Sequence, residues 1–204
     1  MPAPIVRPGA APGGSSEGVA VLVVLGVVIA VVVLLLAFVV VTYNGLVRRR
    51  NQVDNAWGQV DVQLTRRYEL IPNLVETVKG YARHEQETFD RVTRARAEAL
   101  DAQGPVARAE ADNALTGALK SLFAVSEAYP DLKASGNFQS LQQELANTED
   151  RTAYARQYYN DAVLSYNNSV HTIPSVFIAG PMGFRSREFF RAEGGAQGPV
   201  TVRF

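Results

Sequence analysis

Val19–Val41, VAVLVVLGVVIAVVVLLLAFVVV, runs for twenty-three residues without a charge or a strong hydrogen-bonding side chain. As a helix rising about 1.5 Å per residue it is roughly 34 Å long, enough to cross a hydrocarbon core about 30 Å thick. Leu, Ile, Val and Phe each favour insertion by a few tenths of a kcal/mol, and nothing polar opposes the sum. Gly26 and the many valines weaken helix propensity in water. In lipid an unpaired backbone group costs several kcal/mol, so the helix prevails. A soluble core helix of this length would keep a polar face, and here there is none. A signal peptide carries an apolar run of about 7–15 residues before a small-residue cleavage site. Val41-Thr42-Tyr43-Asn44 offers no such site, and with no cysteine in the chain a lipid-modified cysteine anchor is excluded. The stretch 18–42 is therefore an uncleaved transmembrane anchor.

Charges beside the anchor set its expected orientation. Arg48, Arg49 and Arg50 follow the exit, whereas the N-terminal flank holds only Arg7, Glu17 and the amino terminus. The positive-inside rule then places the N-terminus outside and the remainder in the cytoplasm, as a single-pass protein. Tyr43 suits an interfacial anchor, and the three arginines suit anionic headgroups at about 1 kcal/mol each. Residues 1–17 are rich in Pro, Ala, Gly and Ser and cannot bury enough surface to order themselves, so this flank is expected to be disordered. Residues 43–183 are long enough for one helical domain, and 184–204 form a loosely packed or flexible tail.

Beyond the anchor the apolar pattern has a period of 3.5. Val53, Trp57, Val60, Leu64, Arg67, Ile71, Leu74, Val78 and Tyr81 alternate in steps of four and three, and Phe89 and Val92 resume the stripe. Pro72 lies inside it and predicts a kink rather than a stop, because the stripe survives on both sides. Gly104 and Pro105 end this first long helix and open a second, with Leu115, Leu119, Leu122 and Ser126 on one face and Phe123 beside it. Tyr129-Pro130 punctuates the chain, since proline disfavours a helical residue before it. Asp131–Asn137 connects to a third helix, with Ser135-Gly136-Asn137 offering caps. Phe138, Leu141, Leu145, Thr148, Thr152, Ala155, Tyr159, Ala162 and Tyr166 line that helix, and Pro174 marks its end. This smaller, more polar seam asks for close neighbours or buried hydrogen bonds. Phe177, Phe184, Phe189 and Phe190 can pack part of the tail back on the helices. Short connections between long helices predict an all-α fold, an anchor followed by an antiparallel bundle.

Chemistry is scarce in this pattern. Twenty acidic residues balance twenty basic ones, without the basic excess of a nucleic-acid binder. His84-Glu85 lacks the second histidine of a zinc helix, and His171 is remote. Paired Glu-x-x-His motifs, a Gly-rich phosphate loop and a serine nucleophile elbow are all missing. No cofactor, metal or catalytic residue is therefore expected. Arg67, Asn73, Arg156, Asn160 and Asn167 adjoin the apolar seams and are expected to be buried, fixing register between helices. Should Arg67, Asn73, His84, Arg156 and Asn160 instead converge on a pocket, the bundle would be a receptor or enzyme.

Longer blocks of residues carry a resemblance. Tyr43-Asn44-Gly45-Leu46-Val47, Asn51, Ala56-Trp57 and Val60–Arg67 open it, and Leu70-Ile71-Pro72-Asn73-Leu74-Val75, Val78-Lys79-Gly80-Tyr81-Ala82 and His84-Glu85 continue it. Glu127–Ala134, Leu141-Gln142, Thr148-Glu149-Asp150, Ala155-Arg156, Tyr159-Asn160 and Tyr166-Asn167 follow in order. From about Tyr43 to Phe184 the chain resembles the LemA family. The anchor and the Gly-rich tail show no family motif. The resemblance implies a protein of the bacterial cell membrane with an N-terminal anchor and a cytoplasmic bundle of long antiparallel helices. It also implies kinship with proteins of magnetosome membrane formation and genes beside membrane peptidases, and it brings no established activity to carry over. The combined expectation is a membrane-tethered, non-enzymatic scaffold or adaptor. Its partners are the lipid bilayer and proteins such as a membrane peptidase or a second copy, and not nucleic acid. A membrane-organising role through Arg48, Arg49 and Arg50 is the alternative.

Overall fold

Helix is the only regular structure among the described residues of the computed structural model, which covers 14–191, with side chains from residue 18 onward. The elements are α1 (Gly14–Lys79), α2 (Gln86–Asp101), α3 (Gly104–Glu127), the single turn α4 (Pro130–Lys133), α5 (Gly136–His171) and the single turn α6 (Val176–Ala179). Residues divide into two units, Met1–Gly45 and Leu46–Phe204.

The first unit is the apolar part of α1. Most of its large side chains face outward, among them Leu34 at 69% exposed and Phe38 at 42%. The helix is long and apolar enough to cross a membrane. It begins at Gly14, inside the flank expected to be disordered, because extending an established helix by a turn is far easier than starting one. Residues 1–13 and 192–204, which include the rest of that flank and the glycine-bearing end of the tail, lie outside the described residues.

In the second unit, α1 supplies the central seam. Val53, Val60, Leu64, Ile71, Leu74 and Val78 are all at most 2% exposed, as the period requires. The stripe breaks earlier than expected. α1 passes through Pro72 and stops at Lys79, so Tyr81 is 46% exposed and Ala82 is buried in its place. Gly80 N–H still donates to Glu76 O, four residues back, and Tyr81 N–H to Val78 O, three back, the tightened bond of a helix end. Residues 80–85 then turn the chain back. Arg96 Nε donates to Tyr68 O at 2.8 Å and the Lys79 ammonium lies 5.8 Å from the Phe89 ring centroid, so α2 runs antiparallel to α1. The expected first long helix is thus two helices, and the bundle has four long members. Pro72 has no N–H for the carbonyl four residues earlier, and that carbonyl is the one Arg96 satisfies.

Gly104, at φ +80°, and Pro105, in the first turn of α3, make the second reversal. Arg108 meets Asp61 at 3.0 Å and Arg67 meets Asp112 at 3.0 Å, so α3 runs parallel to α1. Pro130 opens α4, and Ser135 stands at the N-cap of α5 without a side-chain capping bond. α5 is antiparallel to α1: Glu144 meets Arg66, and Ser165 meets Arg49. Its polar seam is satisfied internally. Thr148 Oγ1 donates to Glu144 O and Thr152 Oγ1 to Thr148 O.

The α2–α3 hairpin covers only part of α1. With Arg108 level with Asp61, the start of α3 lies one turn nearer the Leu46 end, leaving residues 46–57 without those two helices. Residues 184–191 close this basal gap as an extended strap. Phe184 and Phe190 are buried, Phe189 is half-buried and Phe177 stays exposed. Trp57 packs against Tyr159 at 5.3 Å and Phe190 at 6.2 Å between ring centroids. This part of the expected loose tail is therefore held, and Pro174 lies in the turn between α5 and α6.

Candidate functional site

The largest concentration of buried charge joins α1, α3 and α5. Asp112 is fully buried, three residues ahead of Leu115 on the α3 seam. Arg67 Nη1 donates to Asp112 Oδ1 at 3.0 Å and Oδ2 at 3.1 Å. Its Nη2 donates to Thr116 Oγ1 at 3.0 Å and meets Glu149 Oε2 at 2.7 Å. Arg156 Nη2 from α5 also donates to Asp112 Oδ2, and Tyr68 Oη donates to Oδ1 at 3.3 Å. Burial, then the negative charge of Asp112, pushes the Tyr68 hydroxyl well above the ordinary tyrosine range, so it keeps its proton. Arginine keeps its charge at any physiological pH. Three side chains converge on the Asp112 carboxylate, and it is enclosed between the helices. The arrangement is a clamp, not a proton relay. Removing one member of such a cluster strands a buried charge, at about 3–5 kcal/mol.

Asn160 and Asn167 do something else. Asn160 Nδ2 donates to Phe190 O at 3.0 Å while its Oδ1 accepts from Phe190 N at 2.9 Å. Asn167 repeats the pair on Arg187, at 2.9 and 2.8 Å. Tyr159 Oη donates to Glu188 O at 2.8 Å between them. Seven residues of helix and three of extended chain both span about 10 Å, so two amides two turns apart can pair a strap as a neighbouring strand would. Burial raises the Tyr159 hydroxyl to about 12, and raises Tyr166 as well.

Of the five polar residues expected at the seams, Arg67 and Arg156 meet at Asp112, and Asn160 and Asn167 hold the strap. Asn73 is exposed, with its backbone carbonyl accepting from Thr77 Oγ1, because α1 turns that position outward. His84 is exposed in the α1–α2 turn, and His171 Nε2 lies 2.7 Å from Ser186 Oγ at the other end. The shared pocket of Arg67, Asn73, His84, Arg156 and Asn160 does not form. Among the described residues no group of three or more His, Cys, Asp or Glu is placed to hold a metal. Near the anchor Tyr43 is 40% exposed and Arg48 is exposed. Arg49 donates to Ser165 O and Oγ, and the Arg50 guanidinium lies 5.6 Å from the Phe184 ring centroid. Sequence reasoning missed Asp112, although Asp112, Leu115, Leu119, Leu122 and Ser126 keep the three–four spacing and a carboxylate on that seam asks for a cation.

A groove of about 590 Å³ opens between α1 and α5, lined by Gly58, Gln59, Val62, Arg151, Tyr154 and Tyr158 among others. Val62 is 62% exposed and Tyr154 74%, high values for large apolar side chains on packed helices.

An all-α chain with a helix fit to cross a membrane and a bundle clamped by buried charge defines a class: membrane-associated helical proteins. Within it the match is specific. The LemA family model covers residues 56–204, and the chain belongs to the LemA family. That match starts after the anchor and takes in the strap and the tail, where no family motif was expected. Protein LemA of Metamycoplasma hominis is 27% identical over 153 residues, 73% of this chain and 68% of that protein. Magnetosome protein MamQ 2 of Paramagnetospirillum magneticum is 26% identical over 193 residues, 82% of this chain and 71% of the relative. Magnetosome protein MamQ of Magnetospirillum gryphiswaldense is 24% identical over 197 residues, 82% and 72% respectively.

Proposed function

We propose that this protein is a membrane-tethered adaptor of the bacterial cell membrane. Its apolar helix crosses the bilayer once, N-terminus outward, and its bundle presents the α1–α5 groove to a protein partner in the cytoplasm. The groove carries the reading: its wall exposes Val62, Tyr154 and Tyr158, and Arg151 is the one charged side chain lining it. Tyrosine and arginine are, with tryptophan, the side chains most enriched where protein interfaces bind tightly. A partner segment with a narrow apolar ridge and a carboxylate facing Arg151 fits it best. Orientation rests on Arg48, Arg49 and Arg50.

A photo-crosslinking residue at Tyr154 tests this in cells. The expected result is an adduct of defined mass that disappears with Val62→Arg and does not form from Lys133, an exposed position at α4. Equal adducts from both positions, or none from Tyr154, would sink the reading. The segregation of positive charge toward the anchor favours a second role, the organisation of the membrane itself.

A further inference from the structure

The chain has no net charge, yet its bundle is polarised. Arg48, Arg49, Arg50, Arg185, Arg187 and Arg191 lie in segments 46–54 and 164–191, against only Asp54 and Glu188. No carboxylate occurs between Asp161 and Glu188. The balancing acidic excess lies in 55–163. Folding brings the two basic segments together, although more than a hundred residues separate them: Arg49 bonds Ser165, Arg50 stacks on Phe184, and Arg187 pairs with Asp54 at 2.9 Å. Asp54 is thereby already engaged, so the collar keeps its positive surplus.

The reversal that precedes Arg185, Arg187 and Arg191 in the chain is apolar and outward-facing. Between the end of α5 and the strap, Ile173 is 72% exposed, Phe177 72% and Met182 53%. They stand within ten positions of chain, with Pro174 and Pro181 also exposed. Three large apolar side chains on one short reversal, in a stretch with no carboxylate between Asp161 and Glu188, are what an interfacial membrane contact presents. α5 continues six residues beyond Ser165, the partner of Arg49, so the corner extends past the arginine collar in the direction opposite to the rest of the bundle. Arg48 itself follows the last apolar residue of the anchor by seven positions.

We infer that this α5–α6 corner is a second, monotopic membrane contact: Ile173, Phe177 and Met182 enter the headgroup–acyl boundary of an anionic bilayer, while Arg48 and Arg185 engage its phosphates. The inference rests on the anchor reading, since the tether brings corner and bilayer together, but not on the groove. It gives the bundle a fixed attitude on the membrane, which a single helix cannot impose.

The absence of native cysteine makes the test direct. Full-length chains carrying one cysteine at Ile173, Phe177, Met182, Leu34 or Tyr154 are labelled with an environment-sensitive dye. Each is reconstituted into phosphatidylglycerol–phosphatidylcholine vesicles containing nitroxide lipid. Labels at Ile173, Phe177 and Met182 are expected to be quenched at a depth of about 5–10 Å, while the Tyr154 label stays in water. Arg48→Gln and Arg185→Gln should each lower the docked-to-undocked ratio about fivefold, and pure phosphatidylcholine should lower it too. Phe177→Asp, at an exposed position, should undock the corner without unfolding the bundle. Corner labels in water with the Leu34 label quenched would overturn this inference alone. A Leu34 label in water would overturn the anchor reading, and quenched corner labels would then leave the second contact standing. Quenching equal on neutral and anionic vesicles would remove the arginines from it.

Discussion

The distal and basal halves of the bundle solve the same problem with opposite means. Distally, four helices enclose charge: Asp112 takes Arg67 and Arg156 out of water and ties α1, α3 and α5. Basally, two helices and a strap leave charge outside, with Arg48 and Arg185 exposed. The distal seam is closed by side chains meeting side chains. At the base, two asparagines and a tyrosine bind strap backbone. The difference teaches that an extended segment serves to close the packing where helices run out. It also separates two kinds of arginine in one chain. Arg67 and Arg156 share a buried carboxylate, whereas Arg48 and Arg185 are exposed at the base.

The contrast can be broken most severely at Asp112. Asp112→Ala should cost about 3–5 kcal/mol in denaturant unfolding of the detergent-solubilised chain, because Arg67 and Arg156 lose the buried anion they share. An effect below about 1 kcal/mol would show the clamp to be ornamental. Alkaline pH comes next. The folded pKa of Tyr159, about 12, lies above its ordinary value of 10.0, so its contribution is complete below pH 10 and is lost as pH rises through 12. Unfolding midpoints should fall across that window, and Tyr159→Phe should flatten the fall. Asn160→Ala is expected to cost about 2 kcal/mol by freeing both backbone groups of Phe190. Hydrogen exchange should then accelerate across 184–191 while the distal helices keep their protection, which sharpens the separation of the two halves.

Smaller effects test the distal half alone. Arg96→Met should cost about 1–2 kcal/mol in the native background and less beside Pro72→Ala, which returns a helical donor to Tyr68 O. A double-mutant cycle reads that coupling, expected near 1 kcal/mol. Arg66→Ala should change stability by less than about 1 kcal/mol, since its bridge to Glu144 is half-exposed on both sides.

Periodicity carried much of this architecture openly. The seams through Leu64, Leu115 and Tyr159 named the buried faces, and Gly104-Pro105 and Tyr129-Pro130 marked their reversals. Gly80 was the weak signal. Its neighbours keep the apolar spacing of a continuing helix, so only the packing of Phe89 near Lys79 and Arg96 on Tyr68 shows the chain turning back. Asn73 and Asn160 looked alike beside their stripes; one faces water and the other a strap that has no period to read.

Local properties were settled residue by residue along the chain: a helix long and apolar enough to cross a membrane, and helices with one greasy face. Such features depend on neighbours three or four positions apart, and sequence displays those directly. Which charge meets which was settled by folding, because Asp112 finds Arg67 and Arg156 across forty-five and forty-four positions. The basic collar arises the same way, from distant segments that no spacing rule connects.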